Sequence, residues 1–332
     1  MTQRIGLLAL DGVTDSGVSV ALDVLRAANA IVRRTGGSEP FSVEVLSKNG
    51  KPVTTAAGLR LGVHGAWTKV TSCDVVLVPG LWLEVPSDVA TLLARPDVVA
   101  CGVVLQKAAK RGALLGASCS GTFVLAQAGL LDGRRATTAW LLGAELRRRF
   151  PAIEVDETQS LVAEGNLLSA GTVFAIADLA LALVTKRVGP TVARQVMRVL
   201  LLDTHASQGP YMVLHQLAND EPAVRAAEAW ARRNLSKPVS VSQLARAAAL
   251  SPRTLARRLD EALGISPIAF LQRIRLETAS QLLETSRLSL DEVARRVGYQ
   301  DGGTLRRLLR RERGVSPQQL RRPKGQAFRV PA

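Results

Sequence analysis

The chain has 332 residues, 47% hydrophobic and 21% charged, with a net charge of +15. That length exceeds one ordinary domain, and that apolar content excludes disorder as the default, so two folded domains are expected. No apolar run approaches the roughly 18 residues that cross a bilayer, and Met1 to Leu10 lacks the layout of a signal peptide, so a cytoplasmic protein with no membrane partner is expected.

In chain order, the first two hundred residues alternate apolar runs with amphipathic stretches. Arg4 to Leu10 reads as a strand, Ser16 to Arg34 as a helix, and Phe41 to Leu46 and Asp74 to Val78 as further strands. Val98 to Arg111 reads as a helix, Ala113 to Ala117 as a strand, and Gly121 to Gly129 and Trp140 to Phe150 as helices. Such βαβ alternation predicts a parallel sheet with helices on both faces. Around 153 to 170 the pattern becomes a hairpin turning at Glu164-Gly165-Asn166, and helices follow at about 172 to 187 and 190 to 202. The α/β domain is expected to span 1–204. From 205 to 221 the periodicity weakens, and Gly209, Pro210, Asn219 and then Pro222 punctuate it, which predicts a linker.

Charge is divided unevenly. Residues 221 to 332 hold 22 basic and 10 acidic groups, a balance of +12, against +3 for everything before them. A localised basic excess implies a polyanionic partner. Most of it is arginine, whose planar fork suits phosphates and guanine edges.

That same region repeats itself. Thr254-Leu-Ala-Arg-Arg-Leu-Asp-Glu-Ala-Leu-Gly-Ile-Ser-Pro267 returns fifty residues later as Thr304-Leu-Arg-Arg-Leu-Leu-Arg-Arg-Glu-Arg-Gly-Val-Ser-Pro317, with seven of fourteen positions identical. Upstream of each copy lies a shorter helical stretch, Val241 to Ala248 or Leu290 to Val297, then a turn at 249–251 or 298–301. Short helix, turn, longer helix is a helix-turn-helix. Leu255 and Leu259, like Leu305 and Leu309, fall four apart and form one buried stripe, and Gly264 and Gly314 supply left-handed caps. On the opposite face, Arg253, Thr254, Arg257 and Arg258 in one copy and Thr304, Arg306, Arg307 and Arg310 in the other are the candidate groove-facing residues. Between the units, Pro267 to Ser286 predicts a helix of about 30 Å with an apolar stripe of Ile268, Leu271, Ile274 and Leu282. That length approaches the roughly 34 Å of one DNA turn, which would put two recognition helices in successive major grooves.

The stretch from about 236 to 322 resembles the AraC/XylS family of transcription regulators. The resemblance rests on Leu250-Ser-Pro-Arg-Thr-Leu-Ala-Arg-Arg-Leu259, Gly264-Ile-Ser-Pro-Ile268, Ile274-Arg-Leu276, Val293-Ala-Arg-Arg-Val-Gly-Tyr299 and Gly314-Val-Ser-Pro317. Leu259, Leu305 and Leu309 stand where the family commonly has Phe. The resemblance implies a DNA-binding domain at 222–322 with its helix-turn-helix units at about 239–264 and 289–314, leaving a basic tail at 323–332. It also implies double-stranded promoter DNA as partner, with RNA polymerase and a second copy of the chain as further expected partners.

In the first domain, Ala113 to Ala126 places Cys119 between an apolar strand and a helix, where a strained elbow exposes a nucleophile. The helix N-terminus is expected to favour its thiolate. Together with Ala126 to Trp140, this run resembles the DJ-1/PfpI (class I glutamine amidotransferase-like) superfamily, over about residues 4 to 187. The resemblance implies a flavodoxin-like sandwich, often dimeric, with an elbow cysteine, an acid from the first helix region and sometimes a histidine. Only the cysteine carries over: Ser120 follows it, Ala139 stands where the Thr-Thr-x-Trp motif usually has His, and either Asp15 or Gly17 occupies the acid position, with Asp23 farther along the helix. His64, His205 and His215 read as structural, and Cys73 and Cys101 as core. With three scattered cysteines and no Cys-x-x-Cys pair, neither a disulfide framework nor a metal is expected, and no cofactor. For Cys119, a buried vestigial thiol, a ligand-pocket or oxidation-sensing residue, and a nucleophile all remain open.

The expectation is therefore a sequence-specific DNA-binding transcriptional regulator and not an enzyme, whose first domain dimerises or senses a small-molecule effector. The alternative is a cysteine-dependent amidase or hydratase of the DJ-1/PfpI type, and unordered nucleic-acid packaging is disfavoured by the repeat.

Overall fold

The computed structural model describes residues 2–203, 205, 207–209, 212 and 221–321, divided into two compact units at 1–208 and 209–332. The expectations for His215, for most of the linker and for the tail at 323–332 lie outside the described residues.

In the first unit a seven-stranded sheet runs β10–β11–β7–β6–β1–β2–β5. Its members are β1 (Gln3–Leu8), β2 (Phe41–Ser47), β5 (Gly65–Ala66), β6 (Val75–Val78), β7 (Leu114–Ser118), β10 (Leu161–Glu164) and β11 (Leu167–Ala170). The pairs β3 (Val53–Thr54) with β4 (Arg60–Leu61) and β8 (Arg135–Ala136) with β9 (Glu154–Val155) stand outside it. All pairings in the main sheet are parallel except that of β10 and β11, the expected hairpin, where Gly165 takes φ 60° at the turn.

Strand pleating explains the two-faced core. Val75 and Leu77 of β6 join one apolar cluster with α1 (Asp15–Arg34), α6 (Ile176–Val188) and α7 (Pro190–Leu200). Val76 and Val78 join the other, with α2 (Val89–Ala94), α3 (Pro96–Lys110) and α4 (Gly121–Gln127). Both faces are covered, so β6 reads Val-Val-Leu-Val with every residue buried. This is the flavodoxin-like sandwich. Between β8 and β9, the expected Trp140 to Phe150 helix opens as a 3-10 turn at Trp140–Leu142 before α5 (Gly143–Arg149).

Residues 207 and 208, inside the expected linker, pack into this first unit. The Gln208 amide is buried and donates to the carbonyls of Thr138, Glu157 and Gln159 at 2.9 to 3.0 Å. Carbonyls outside the named strands bind it there, which local periodicity does not reveal.

The second unit is helical: α8 (Pro222–Asn234), α9 (Val241–Ala247), α10 (Pro252–Leu263), α11 (Pro267–Thr285), α12 (Leu290–Arg296), α13 (Gly302–Arg313) and α14 (Pro317–Arg321). It holds two separate cores. Phe270 and Ile274 of α11 pack with Leu244, Leu255 and Leu259, while Leu276, Ala279 and Leu283 of the same helix pack with Val293, Leu305 and Leu309. One helix is thus shared end to end between two small domains. The expected stripe needs correcting: Ile268 is 71% exposed and Phe270 takes the core position, while Leu271 and Leu282 lie at the margins. Among the described residues no helix is long and apolar enough to cross a membrane.

Candidate nucleic-acid interface and cysteine elbow

Each helix-turn-helix is held by local capping. Ser240 and Ser289 form capping boxes with Gln243 and Glu292 at the starts of α9 and α12. The turns then pass through left-handed residues, Ala249 at φ 54° and Gly298 at φ 83°. Only glycine fits at 298, because a Cβ would lie 2.3 Å from the Leu235 carbonyl oxygen. The second helices start at Ser251 and Asp301, whose side chains accept from the Thr254 and Thr304 amides, and stop at Gly264 and Gly314 with φ 63° and 66°.

With Leu255, Leu259, Leu305 and Leu309 fully buried, the opposite faces of α10 and α13 are left to solvent. Arg253, Arg257, Arg306, Arg307 and Arg310 are exposed, and Arg253, Arg306 and Arg310 have no ion-pair partner among the described residues. Arg257 pairs along its own helix with Glu261 at 2.7 Å, both partners well exposed, and such a pair is worth only a few tenths of a kcal/mol. Thr254 and Thr304 are half-buried, their hydroxyls hydrogen-bonded to the capping Ser251 and Asp301.

Arg258 differs from its neighbours. Its Nη1 donates to both carboxylate oxygens of Glu221, at 3.0 and 2.8 Å, so it ties α10 to the N-cap residue that precedes α8. The second helices of the two units are therefore unequal: α10 carries three arginines against Asp260 and Glu261, and α13 carries five against Glu312 alone.

Sequence reasoning missed three exposed cations. Arg246 on α9 and Arg295 and Arg296 on α12 sit in last helical turns, with no ion pair among the described residues. Basic last turns were the available signal, since cations there also complement the helix dipole. Other arginines of this unit are structural: Arg313 donates to Ser280 Oγ and the Met212 carbonyl, Arg232 joins Glu228 to Glu277, and Arg275 stacks 5.4 Å from the Tyr299 ring.

In the first unit, Cys119 does occupy a strained elbow, at φ 54° between β7 and α4. Its amide donates to the Ala170 and Gly171 carbonyls, and its own carbonyl accepts from Thr138 Oγ1 at 2.7 Å. Gly80 packs against it so closely that a Cβ there would lie 2.9 Å from Cys119 Cβ. The chemistry expected of the elbow is different. The residue keeps some open surface, yet the packed surroundings desolvate the thiol and push it up to about 11, outweighing the hydrogen bond from the Ser120 backbone that favours the thiolate. The stabilisation expected from the helix N-terminus is outweighed: burial costs the thiolate more than the short helix α4, about two turns long, returns.

The surroundings supply no replacement. Ser120 is fully buried and closed onto Leu81, accepting from its amide and donating to its carbonyl. Gly17 is the residue that lies against Pro79, next to Gly80, whereas Asp15 turns to the Ala57 amide and the Thr55 hydroxyl, which holds its carboxyl below the usual range. No histidine or carboxylate hydrogen-bonds to Cys119 among the described residues. His64 Nδ1 accepts from the Val45 amide, as a structural histidine does. Cys73 and Cys101 are buried in the core.

The DJ-1/PfpI family profile matches residues 3–186, and a helix-turn-helix domain profile matches residues 244–323. Relatives extend along nearly the whole chain. The HTH-type transcriptional regulator GlxA of Rhizobium meliloti is 28% identical over 327 residues, covering 97% of this chain and 97% of that protein. GbdR, an HTH-type transcriptional regulator of Pseudomonas aeruginosa, is 27% identical over 329 residues, covering 98% and 86%. Among solved structures, an AraC family transcriptional regulator from Pseudomonas putida superposes with a TM-score of 0.51 at 26% identity, covering 60% of this chain and 99% of that one. With an elbow-bearing flavodoxin-like unit followed by paired helix-turn-helix units, the chain belongs to the DJ-1/PfpI family and is a DNA-binding transcriptional regulator of the AraC/XylS type.

Proposed function

We propose that this regulator reads double-stranded promoter DNA by laying α10 and α13 into major grooves. Arg253, Thr254 and Arg257 face the groove from the first helix, and Thr304, Arg306, Arg307 and Arg310 from the second. Arg258 acts as a positioning residue through Glu221. The observation that carries this reading is the exposed row of arginines on α13, uncompensated on a scaffold whose caps and cores are otherwise satisfied. The 19 residues of α11 span about 28 Å, close to one turn of DNA, which supports successive grooves on one face.

The first unit serves dimerisation or effector sensing rather than turnover. Its elbow thiol is held neutral and has no adjacent base among the described residues, whereas nucleophilic catalysis calls for a lowered pKa or such a base. A cytoplasmic homodimer on a two-fold operator, contacting RNA polymerase, completes the reading.

The test is to sequence fragments bound by the purified full-length protein, then compare the best fragment with unrelated DNA by fluorescence anisotropy over a salt series. A preference of about a thousandfold or more is expected at physiological salt. Arg257→Ala and Arg307→Ala should each cost about 1 to 3 kcal/mol on that fragment and relax its sequence preference. Equal affinity for unrelated DNA overturns the reading.

A further inference from the structure

Away from the elbow, the first unit has a recess of about 390 Å³ between α3 and the 3-10 turn Trp67–Ser72. That volume lies within the range of small-molecule sites. Its apolar lining comes from Trp67, Val70, Ala100 and Val104, and its cations are Lys48, Lys107 and Arg111. Among the described residues no carboxylate lines it.

Among the polar groups of the recess, Thr71 Oγ1 is turned onto the Thr68 carbonyl at 3.0 Å. The Trp67 indole N–H already donates to the Leu46 carbonyl at 3.1 Å, so the largely buried ring backs the recess with no free donor. One Arg111 nitrogen donates to the Val70 carbonyl at 2.9 Å, which anchors the guanidinium at the recess, and its remaining N–H groups make no hydrogen bond among the described residues. Lys48 and Lys107 are exposed and have no ion pair among the described residues. Two acids whose charges reach nearby Cys73 are occupied elsewhere, Glu44 by Lys69 at 2.6 Å and Asp74 by the Arg4 amide. Three cations around an apolar hollow without a counter-ion repel one another, and an anion placed there relieves that repulsion.

We infer that this recess is a binding site for a small organic anion with an apolar body, an aryl or alkyl carboxylate. The concave shape selects a small molecule over the flat face of a protein partner. The inference deepens the sensor reading of the first unit and rests on it for its consequence, while binding itself is measured directly.

The experiment is isothermal titration calorimetry on the full-length protein, with naphthalene-2-carboxylate as probe and the neutral naphthalene-2-carboxamide as its match. The carboxylate should bind saturably and at least about tenfold tighter than the amide. The double charge reversal Lys48→Glu with Lys107→Glu should weaken it at least about tenfold, and Ala100→Trp, which fills the hollow, should abolish it. Because both lysines are exposed, the charge reversal keeps the test decisive even where the tryptophan disturbs packing. No saturable binding up to about 1 mM, equal binding of the amide, or binding retained in the charge reversal overturns the site. So does a change of oligomeric state in Ala100→Trp with probe binding intact, which makes the recess an interface between copies. Operator affinity is measured on the same samples: its absence in the wild type counts against the regulator reading, and loss of probe binding with operator affinity intact concerns the recess alone.

Discussion

The cysteine elbow and the recognition helices present opposite uses of a well-built frame. At the elbow the backbone strain, the close approach of Gly80 and the hydrogen bonds to Cys119 are all in place, yet the Ser120 hydroxyl closes onto Leu81 and the thiol stays protonated. On α10 and α13 the caps and leucines are just as well satisfied, and Arg253, Arg306 and Arg310 face outward with no ion pair among the described residues. A scaffold persists through its own packing. Charged groups left available serve a different end, because an exposed unpaired cation contributes little to folding and much to binding a polyanion.

The contrast can be broken first where it should be strongest. Replacing Arg306, Arg307 and Arg310 together by Ala should reduce operator affinity about a hundredfold or more and lower the slope of log K against log salt by about 2 to 3. If anisotropy gives an unchanged slope, α13 does not face DNA. Next, Leu259→Ala and Leu309→Ala should each cost about 2 to 5 kcal/mol of stability in denaturant melts. Because the two leucines belong to separate cores, their costs should add, and strong coupling would show that the cores are one.

The elbow side is sharpened by alkylation. The thiolate is the reacting species, so raising the thiol from 9.0 to about 11 should slow iodoacetamide about a hundredfold at pH 8 relative to an ordinary thiol. The rate should climb about tenfold per pH unit and level off only near pH 11. Mass spectrometry of the Cys119 peptide checks it, and rapid labelling at pH 7 would restore a nucleophile there. The smallest effect belongs to the caps: Ser251→Ala and Asp301→Ala should each cost about 0.5 to 2 kcal/mol, read by thermal melts.

Much of this molecule is written locally in its sequence. The recurrence of Thr254 to Pro267 at Thr304 to Pro317, the capping serines, Gly264 and Gly314, and the buried leucines all follow from interactions within one or two helical turns, so pattern alone determines them. The βαβ alternation and the elbow at Cys119 are of the same kind. Tertiary structure decided what distant segments impose. Arg257 and Arg258 are neighbours of one type, but Glu221, 37 residues away, draws only the second. Ile268 and Phe270 are both apolar, and only the second reaches the core, because the entry of α11 sets which face is inward. The choice between Asp15 and Gly17, and the protonation of Cys119, likewise depended on which loops close around them. Periodicity and capping act through the chain's own neighbours, whereas ion pairing and desolvation are properties of whatever the fold brings alongside.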